Sequence, residues 1–289
     1  MKKKVLVMVA AMMAAVSSAK AQLFEFTYDA GFEAVSSYIW RGMYNGGLSF
    51  QPDLEIGFNA LDEGIQFRFG TWATVGASDW KFRFNGDPYP DLDGNMINPN
   101  TRFMPEIDVF GNLILFGAKI GFTHYYYFGG TPYFSGLEES NGSQTEIQVG
   151  YNFNHFFGNH AGAYFNWYSV IAGSDAVYND LGEARRAWSS YLEVGYDYVF
   201  EDAGVTLGGV VGMSPWESPL YGNSKFAVVN VSLKLNKEWE FDKVTLDLFG
   251  QATVNPDGIN RNNVFVNTAG DEKLYVQRLN GTIGLGVWF

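Results

Sequence analysis

The chain alternates apolar and polar residues with a period of two over long stretches. The clearest run spans residues 48–59, where Leu48 and Phe50 alternate with Ser49 and Gln51. Period-two alternation of this length predicts a β-strand with one apolar and one polar face. A tilted strand needs about 9–11 residues to cross a bilayer, so this run is long enough to span a membrane.

The same pattern recurs along the chain and predicts about 12 strands. They are expected near residues 23–38, 47–60, 64–75, 104–111, 116–128, 144–154, 160–171, 187–200, 204–213, 225–236, 243–254 and 273–289. Short connectors near 61–63, 112–115, 155–159, 201–203 and 237–242 alternate with connectors near 39–46, 76–103, 129–143, 172–186, 214–224 and 255–272, which are mostly longer. This alternation is typical of outer-membrane barrels. We therefore predict an all-β fold, a transmembrane antiparallel up-and-down β-barrel with short periplasmic turns and long external loops.

Both ends of the chain carry export features. Three lysines at residues 2–4 precede an apolar run at 5–16 and the small-x-small box Ala19-Lys20-Ala21. The apolar run is too short for a transmembrane helix, so we expect residues 1–21 to be a signal peptide and residues 22–289 to form the barrel. An uncleaved N-terminal anchor is the alternative. The final strand places its apolar residues on one parity up to Phe289, which resembles the terminal signature that the barrel assembly machinery recognises.

Composition narrows the chemistry. The chain has no cysteine, which excludes disulfides, a thiolate metal site and a lipoprotein anchor. Its net charge is −12; four of the 19 Lys and Arg residues lie in the predicted signal, which leaves 15 basic against 31 acidic residues, or −16. Nucleic-acid binding needs a cationic surface and is disfavoured. Cations and neutral small solutes are the expected partners, with outer-membrane lipid around the barrel.

The polar parity of the strands is predicted to face the lumen. The predicted pore-lining residues are Glu25, Asp29, Glu33, Asp53, Glu55, Arg68, Glu106, Asp108, Lys119, Glu146, Glu193, Asp197 and Asp247. Carboxylates dominate this set, and rings of Asp and Glu are what cation-selective pores use. Two possibilities stay open, a hydrated channel and a closed barrel whose acids pair with the few bases and with Tyr and Asn side chains.

Aromatic residues cluster near the predicted strand ends. They are Trp72, Tyr125, Tyr127, Tyr164 and Tyr168. They fit either a stacking surface for sugars or the aromatic girdles that flank a membrane barrel.

Several motifs in the first half resemble a known family. The segments are Ser36-Ser37-Tyr38-Ile39-Trp40-Arg41-Gly42, Gln51, Gly70-Thr71-Trp72-Ala73, Glu106-Ile107-Asp108 and Gly121-Phe122-Thr123-His124-Tyr125-Tyr126. In order and spacing they resemble the TorF family of bacterial porins, also called the Gcw conserved family, mostly over residues 36–153. The chain departs from that pattern at Thr74, where serine is expected, and in a longer loop after Val75. The resemblance implies a porin-type barrel and supplies neither a substrate nor catalytic residues; we expect no cofactor.

The rim motif of Trp40, Arg41, Gly42 and Trp72 suggests one specific contact. Arg41, at the external end of the first strand, is expected to reach inward and pair with Glu33, Asp53 or Glu106. Bidentate arginine–carboxylate contacts would anchor the first external loop.

Two further chemistries are weaker alternatives. A lipid-modifying enzyme would need a histidine beside a nucleophile, but His155 and His160 lie in a predicted turn and His124 lies near the rim without suitable spacing. The loop around Asp91 and Asp93 offers oxygen ligands for calcium, although these residue types are also common in turns. We expect no resident metal.

The leading expectation is a monomeric passive channel in the outer membrane of a Gram-negative bacterium. Small solutes, cations preferred, would diffuse through an acidic lumen, with loops 76–103 and 255–272 setting access. The alternatives are a non-conducting barrel that binds partners through its external loops and, less favoured, the lipid-modifying enzyme.

Overall fold

The computed structural model describes residues 24–61, 63–76, 89–90, 96–97, 105–128, 132–139, 142–154, 162–256, 264–266, 274–276 and 279–289. These residues form twenty strands and a 3-10 turn at Glu201–Ala203. The strands are β1 (Phe24–Val35), β2 (Tyr38–Trp40), β3 (Met43–Gly46), β4 (Ser49–Ala60), β5 (Ile65–Gly76), β6 (Tyr89–Pro90), β7 (Met96–Ile97), β8 (Glu106–Leu115), β9 (Ala118–Tyr127), β10 (Gln144–Asn152), β11 (Tyr164–Gly173), β12 (Ala176–Tyr178), β13 (Ala184–Arg186), β14 (Ser190–Phe200), β15 (Val205–Ser214), β16 (Ala227–Phe241), β17 (Val244–Val254), β18 (Val264–Val266), β19 (Leu274–Val276) and β20 (Leu279–Trp288). The predicted signal peptide lies outside the described residues.

Twelve of these strands close into one barrel. Their circular order is β1, β20, β17, β16, β15, β14, β11, β10, β9, β8, β5 and β4, and neighbouring strands are antiparallel. The predicted all-β, up-and-down barrel of 12 strands is confirmed. The remaining strands form two-stranded hairpins in the connectors at one end, which we call the loop end; the opposite end is the turn end.

Two turns are shorter than predicted. β8 continues to Leu115 and β9 starts at Ala118, so only Phe116 and Gly117 connect them. Both have positive φ, 48° and 87°, as a type I′ turn requires, and such turns match the twist of the flanking strands. β16 likewise runs to Phe241, well beyond the predicted end near residue 236.

The barrel is apolar outside and polar inside. Exposed outer-face residues include Ile120, Leu233 and Ile283, which are 63%, 60% and 59% exposed. Buried polar residues on the barrel strands include Gln51, Glu106, Asp108, Glu146, Gln148, Asn230, Ser232, Asp247, Thr253, Asn280 and Thr282. Exposed apolar surface of this extent on a closed barrel is the arrangement of a membrane-spanning protein. Among the described residues, no helix is long and apolar enough to cross a membrane.

The first long connector folds into the barrel. Strands β2 and β3 form a hairpin (residues 38–46, the inner hairpin) between β1 and β4. Its tip packs against Val229 and Asn230 of β16, and the Asn255 amide donates to the Gly42 carbonyl at 3.5 Å. Arg41 also reaches Glu146 on β10, across the barrel from the strands that carry the hairpin. The sequence predicted an external loop here, but its aromatic side chains and arginine find their partners inside the lumen.

Candidate functional site

The predicted pore-lining residues differ in how deeply they are enclosed. Glu106, Asp108, Glu146 and Asp247 are buried, and the remaining members within the closed wall are half-buried. Glu25 and Asp29 are exposed. β1 pairs with β20 only from Gly31 to Val35, so the first residues of β1 extend past β20 at the turn end. We treat the lining of a conducting path by these residues as a proposal.

Basic side chains are interspersed among the lumenal carboxylates. Arg68 Nε lies 3.2 Å from Glu55 Oε1. Lys119 interacts electrostatically with Glu55 and Glu193, and Lys234 interacts with Glu33, Asp197 and Asp247.

The charged neighbours of Asp53 differ from those of the other lumenal carboxylates. The charged neighbours that act on it most strongly are the acids Glu55, Asp29 and Glu33. The carboxylates around Asp53 therefore repel its negative charge.

The inner hairpin is held by a buried ion pair. Arg41 Nη1 donates to Glu146 Oε2 and Arg41 Nη2 donates to Glu146 Oε1, each at 2.7 Å. Their side chains are 10% and 2% exposed. The expected bidentate contact of Arg41 is present, but the expected partners were wrong: the carboxylate is Glu146 on β10. The hairpin tip crosses the lumen beyond β1, β4 and β8, the strands that carry Glu33, Asp53 and Glu106.

Aromatic rings surround the Arg41 guanidinium. Its Cζ atom lies 3.9 Å from the ring centre of Tyr168, 4.5 Å from that of Trp40 and 4.9 Å from that of Tyr191. Arg41 Nη1 also donates to the Tyr221 hydroxyl at 2.9 Å. Desolvated cation–π contacts of this kind each contribute up to about 2 kcal/mol.

We call this site the arginine pocket, formed by Trp40, Tyr125, Glu146, Tyr168, Tyr191 and Tyr221. The rings also pack on one another: Trp40 stacks on Tyr221 with centroids 6.0 Å apart, and Tyr221 stacks on Tyr191 at 5.6 Å. The Tyr125 hydroxyl donates to Glu146 Oε1 at 3.1 Å. Tyr125 and Tyr168, predicted as part of a sugar surface or a girdle, thus belong to this pocket.

The pocket keeps Arg41 charged. Burial is the largest single effect and lowers the pKa of the guanidinium, but the Glu146 carboxylate together with Tyr221 and Tyr125 raises it, and this pKa ends well above its ordinary value. Burial raises the pKa of the Tyr221 phenol above its ordinary value, so its hydroxyl stays neutral. The pocket therefore presents one carboxylate, neutral hydroxyls and ring faces to one cation.

A second group of polar residues lies beside the pocket. The Tyr38 hydroxyl donates to Glu106 Oε2 at 3.1 Å, and the Tyr38 ring packs on Trp72 with centroids 5.4 Å apart. Asp108 also interacts with Glu106. The rim motif is thereby brought together: Trp40, Arg41 and Gly42 lie at the hairpin tip and Trp72 supports its first strand.

Of the three histidines considered for the enzyme alternative, His124 lies among the described residues. Its Nδ1 lies 2.8 Å from the Thr145 hydroxyl and its Nε2 lies 3.0 Å from the Tyr133 carbonyl oxygen, so both ring nitrogens are engaged. His155, His160 and the proposed calcium ligands Asp91 and Asp93 lie outside the described residues. Within the part of the chain that is described, no three His, Asp or Glu side chains are grouped to hold a metal ion.

Sequence reasoning missed Tyr191 and Tyr221. Tyr191 has the same parity as Glu193 on β14 and could have been assigned to the lumen on that ground. Tyr221 lies in the connector between β15 and β16, where no periodicity shows that its side chain turns inward.

Substituting Gly42 with alanine is expected to displace the inner hairpin. Gly42 has φ +86°, and a Cβ there would lie 2.0 Å from the Val229 carbonyl oxygen. A left-handed conformation alone costs an L-residue about 1–2 kcal/mol, and the clash adds to this. We expect trypsin to cut the folded variant after Arg41 faster than the wild type, measured by digestion in detergent and mass spectrometry.

The matched control for this experiment is Gly182→Ala. Gly182 also has a positive φ, +78°, but no atom lies within 4 Å of its Cβ position. Trypsin resistance at Arg41 equal to the wild type in Gly42→Ala would contradict the tight seating of the hairpin on β16.

Comparisons with known proteins give structural similarity only. No protein-family model matches the chain, and no curated protein does. A NanC porin structure aligns with TM-score 0.46 and 7% identity over 91% of this chain and 99% of that chain. A FadL homologue from Pseudomonas aeruginosa aligns with TM-score 0.34 and 12% identity over 92% of this chain and 75% of that chain. OmpF from Salmonella typhi, in complex with daunomycin, aligns with TM-score 0.31 and 10% identity over 92% of this chain and 97% of that chain. These scores lie below 0.5, so the fold rests on the barrel geometry itself, and membership of the TorF family stays a prediction.

Proposed function

We propose that this protein is a porin-type passive channel of a Gram-negative outer membrane that favours small cations. The observation that carries the proposal is the closed barrel with an apolar outer face and an inner face rich in carboxylates. In this assignment the turn end faces the periplasm and the loop end faces outward. Residues 1–21 would direct export, and the assembly machinery would insert the barrel as a monomer.

The charge arrangement supports a cation preference. Among the described lumenal residues, Arg68, Lys119 and Lys234 each interact with one or more carboxylates, whereas Asp53 has acidic neighbours. A narrow low-dielectric channel concentrates the field of a carboxylate such as Asp53. Anions would meet repulsion and cations a favourable path.

The position of the inner hairpin supports a gated conductance. It crosses the lumen and is bound to β8, β10 and β16 through Tyr38, Arg41 and Gly42. With the hairpin seated, the free cross-section at the loop end is reduced. We therefore expect a resting state of low conductance, and a state of higher conductance when the hairpin leaves the lumen.

The same observation favours one alternative. A hairpin bound this firmly also suits a non-conducting barrel that displays its outer loops to a ligand or partner. The two functions differ in whether displacing the hairpin creates a current.

Single-channel recording of the refolded mature protein in a salt gradient tests the proposal. We expect small cation-selective currents in the wild type and larger ones in Gly42→Ala. Anion selectivity, or no current from either protein, would reject the cation channel and leave the binding barrel.

Neutralising two lumenal acids should weaken the selectivity of the channel for cations over anions. Asp53→Asn combined with Glu55→Gln is expected to shift the reversal potential toward zero, because both changes reduce the negative charge of one region of the lumen. Glu217→Gln is the matched control, since Glu217 lies in a loop and is 42% exposed in its ion pair with Arg185. An unchanged reversal potential in the double variant would remove these residues from the conducting path.

A further inference from the structure

We propose that the arginine pocket is a binding site for guanidinium-bearing solutes and that Arg41 occupies it as a tethered substitute for such a solute. The proposal rests on the proposed channel function, because it names a class of solute that would enter from the loop end. It also gives the inner hairpin a role: Arg41 holds the site until a free guanidinium group displaces it.

The pocket matches the chemistry of a guanidinium group. The Glu146 carboxylate accepts two parallel N–H bonds of 2.7 Å, and the Tyr221 hydroxyl accepts a further one of 2.9 Å. The Tyr168 and Tyr191 rings lie 3.9 and 4.9 Å from the guanidinium carbon. A planar, weakly hydrated cation uses both the fork of donors and the ring faces, whereas a compact ammonium ion uses fewer of them.

The barrel and one connector supply most of the pocket. Tyr125, Glu146, Tyr168 and Tyr191 stand on four consecutive barrel strands, β9, β10, β11 and β14, and Tyr221 stands on the connector before β16. Trp40 is the pocket residue that the inner hairpin contributes. Departure of the hairpin would therefore remove Arg41 and one ring but leave the carboxylate and four tyrosines.

Contacts that do not involve Arg41 keep these groups in place. The Asn230 amide donates to the Tyr191 hydroxyl at 2.8 Å, the Gln148 amide donates to the Tyr168 hydroxyl at 3.0 Å, and the Tyr125 hydroxyl donates to Glu146. A site whose groups are already oriented loses less entropy when it binds a ligand. The pocket groups therefore stay oriented to bind another cation after Arg41 leaves.

A vacated pocket would attract a new cation strongly. Glu146 is 2% exposed, and an ionised carboxylate that is buried without a counter-charge is costly. By contrast, Arg185 and Glu217 form an ion pair at the surface with 62% and 42% exposure, where water solvates whichever partner remains. The arginine pocket thus differs from an ordinary surface ion pair of this chain.

Competition for the pocket would couple solute binding to opening. A free guanidinium group and Arg41 cannot both occupy the Glu146 fork, so the solute binds only when Arg41 has left. A ligand that binds one of two states shifts the equilibrium toward that state. Guanidinium-bearing solutes would therefore release the inner hairpin as they bind.

The test uses guanidinium as the probe and Arg41→Asn as the vacated site. Asparagine tolerates positive φ, so it suits the φ of 48° at position 41 while removing the guanidinium. Calorimetry with millimolar guanidinium is expected to show binding to the refolded variant at least about tenfold tighter than to the wild type, where Arg41 competes. Urea, which has a similar planar shape without the charge, should not bind, and Arg185→Asn should match the wild type.

Two further measurements keep the proposal independent of one variant. Adding Glu146→Gln to Arg41→Asn should abolish guanidinium binding. In the wild type, millimolar guanidinium but not urea should accelerate trypsin cleavage after Arg41. Equal guanidinium affinity in wild type and Arg41→Asn, together with unchanged cleavage, would overturn the proposal.

The outcome for the pocket is separable from the outcome for the channel. Calorimetry requires no current, so binding in Arg41→Asn without conductance from any variant would retain the pocket and reject the channel. Cation-selective conductance without guanidinium binding would retain the channel and reject the pocket.

Discussion

Replacing Glu146 with glutamine is expected to destabilise the folded barrel by about 3–5 kcal/mol, because it leaves the Arg41 guanidinium buried without its counter-charge. Arg41 is 10% exposed, so water can compensate little of the loss. Glutamine keeps the size of the side chain and one oxygen acceptor, which restricts the change mainly to charge and to one of the two 2.7 Å bonds. Reversible urea unfolding of the refolded protein in lipid bilayers measures the difference.

The double variant Arg41→Asn with Glu146→Gln separates the ion pair from the loss of either residue. It removes both charges, so it should be more stable than Glu146→Gln alone, and the double-mutant cycle should give a clear coupling energy. Glu217→Gln removes an exposed ion pair and should cost no more than about 1 kcal/mol. If Glu146→Gln costs no more than this control, Arg41 is not held by its charge.

The barrel itself could be predicted because period two fixes both a strand and its faces. In β4, Leu54 and Ile56 are exposed on the outer face while Asp53 and Glu55 are half-buried, as alternation required. The turns were harder, because a two-residue turn such as Phe116-Gly117 contains an apolar residue and leaves no polar gap. Strand number and parity were therefore predicted, whereas several strand ends were not.

The arginine pocket could not be derived from parity alone. Parity shows that Glu146 faces inward, but the distance between its strand and Arg41 depends on how the twelve strands close into a circle. Arg41 and Glu146 are 105 positions apart, whereas the predicted partners Glu33 and Asp53 lie on the strands that flank the hairpin. The missing information was that the Trp40-Arg41-Gly42-Met43 turn, with positive φ at both central residues, sends a short hairpin inward across the lumen.

Arg41→Asn is expected to increase the fraction of time that the channel spends in its larger conductance state. The substitution removes the ion pair, the cation–π contacts and the bond to Tyr221 but retains a residue that accepts positive φ. If these contacts contribute only about 1.4 kcal/mol to seating the hairpin, their loss raises the open-to-closed ratio about tenfold. Single-channel recording at fixed voltage measures this ratio directly.

Arg41→Lys distinguishes charge from geometry in the same recording. Lysine retains the positive charge beside Glu146 but cannot form the two parallel N–H bonds or stack a planar group on Tyr168. An open fraction between those of the wild type and Arg41→Asn is therefore expected. A lysine variant with the open fraction of the wild type would mean that charge alone holds the hairpin in the lumen. An asparagine variant with that open fraction would show that the Tyr38–Glu106 bond and the packing of Gly42 on β16 are sufficient to hold it there.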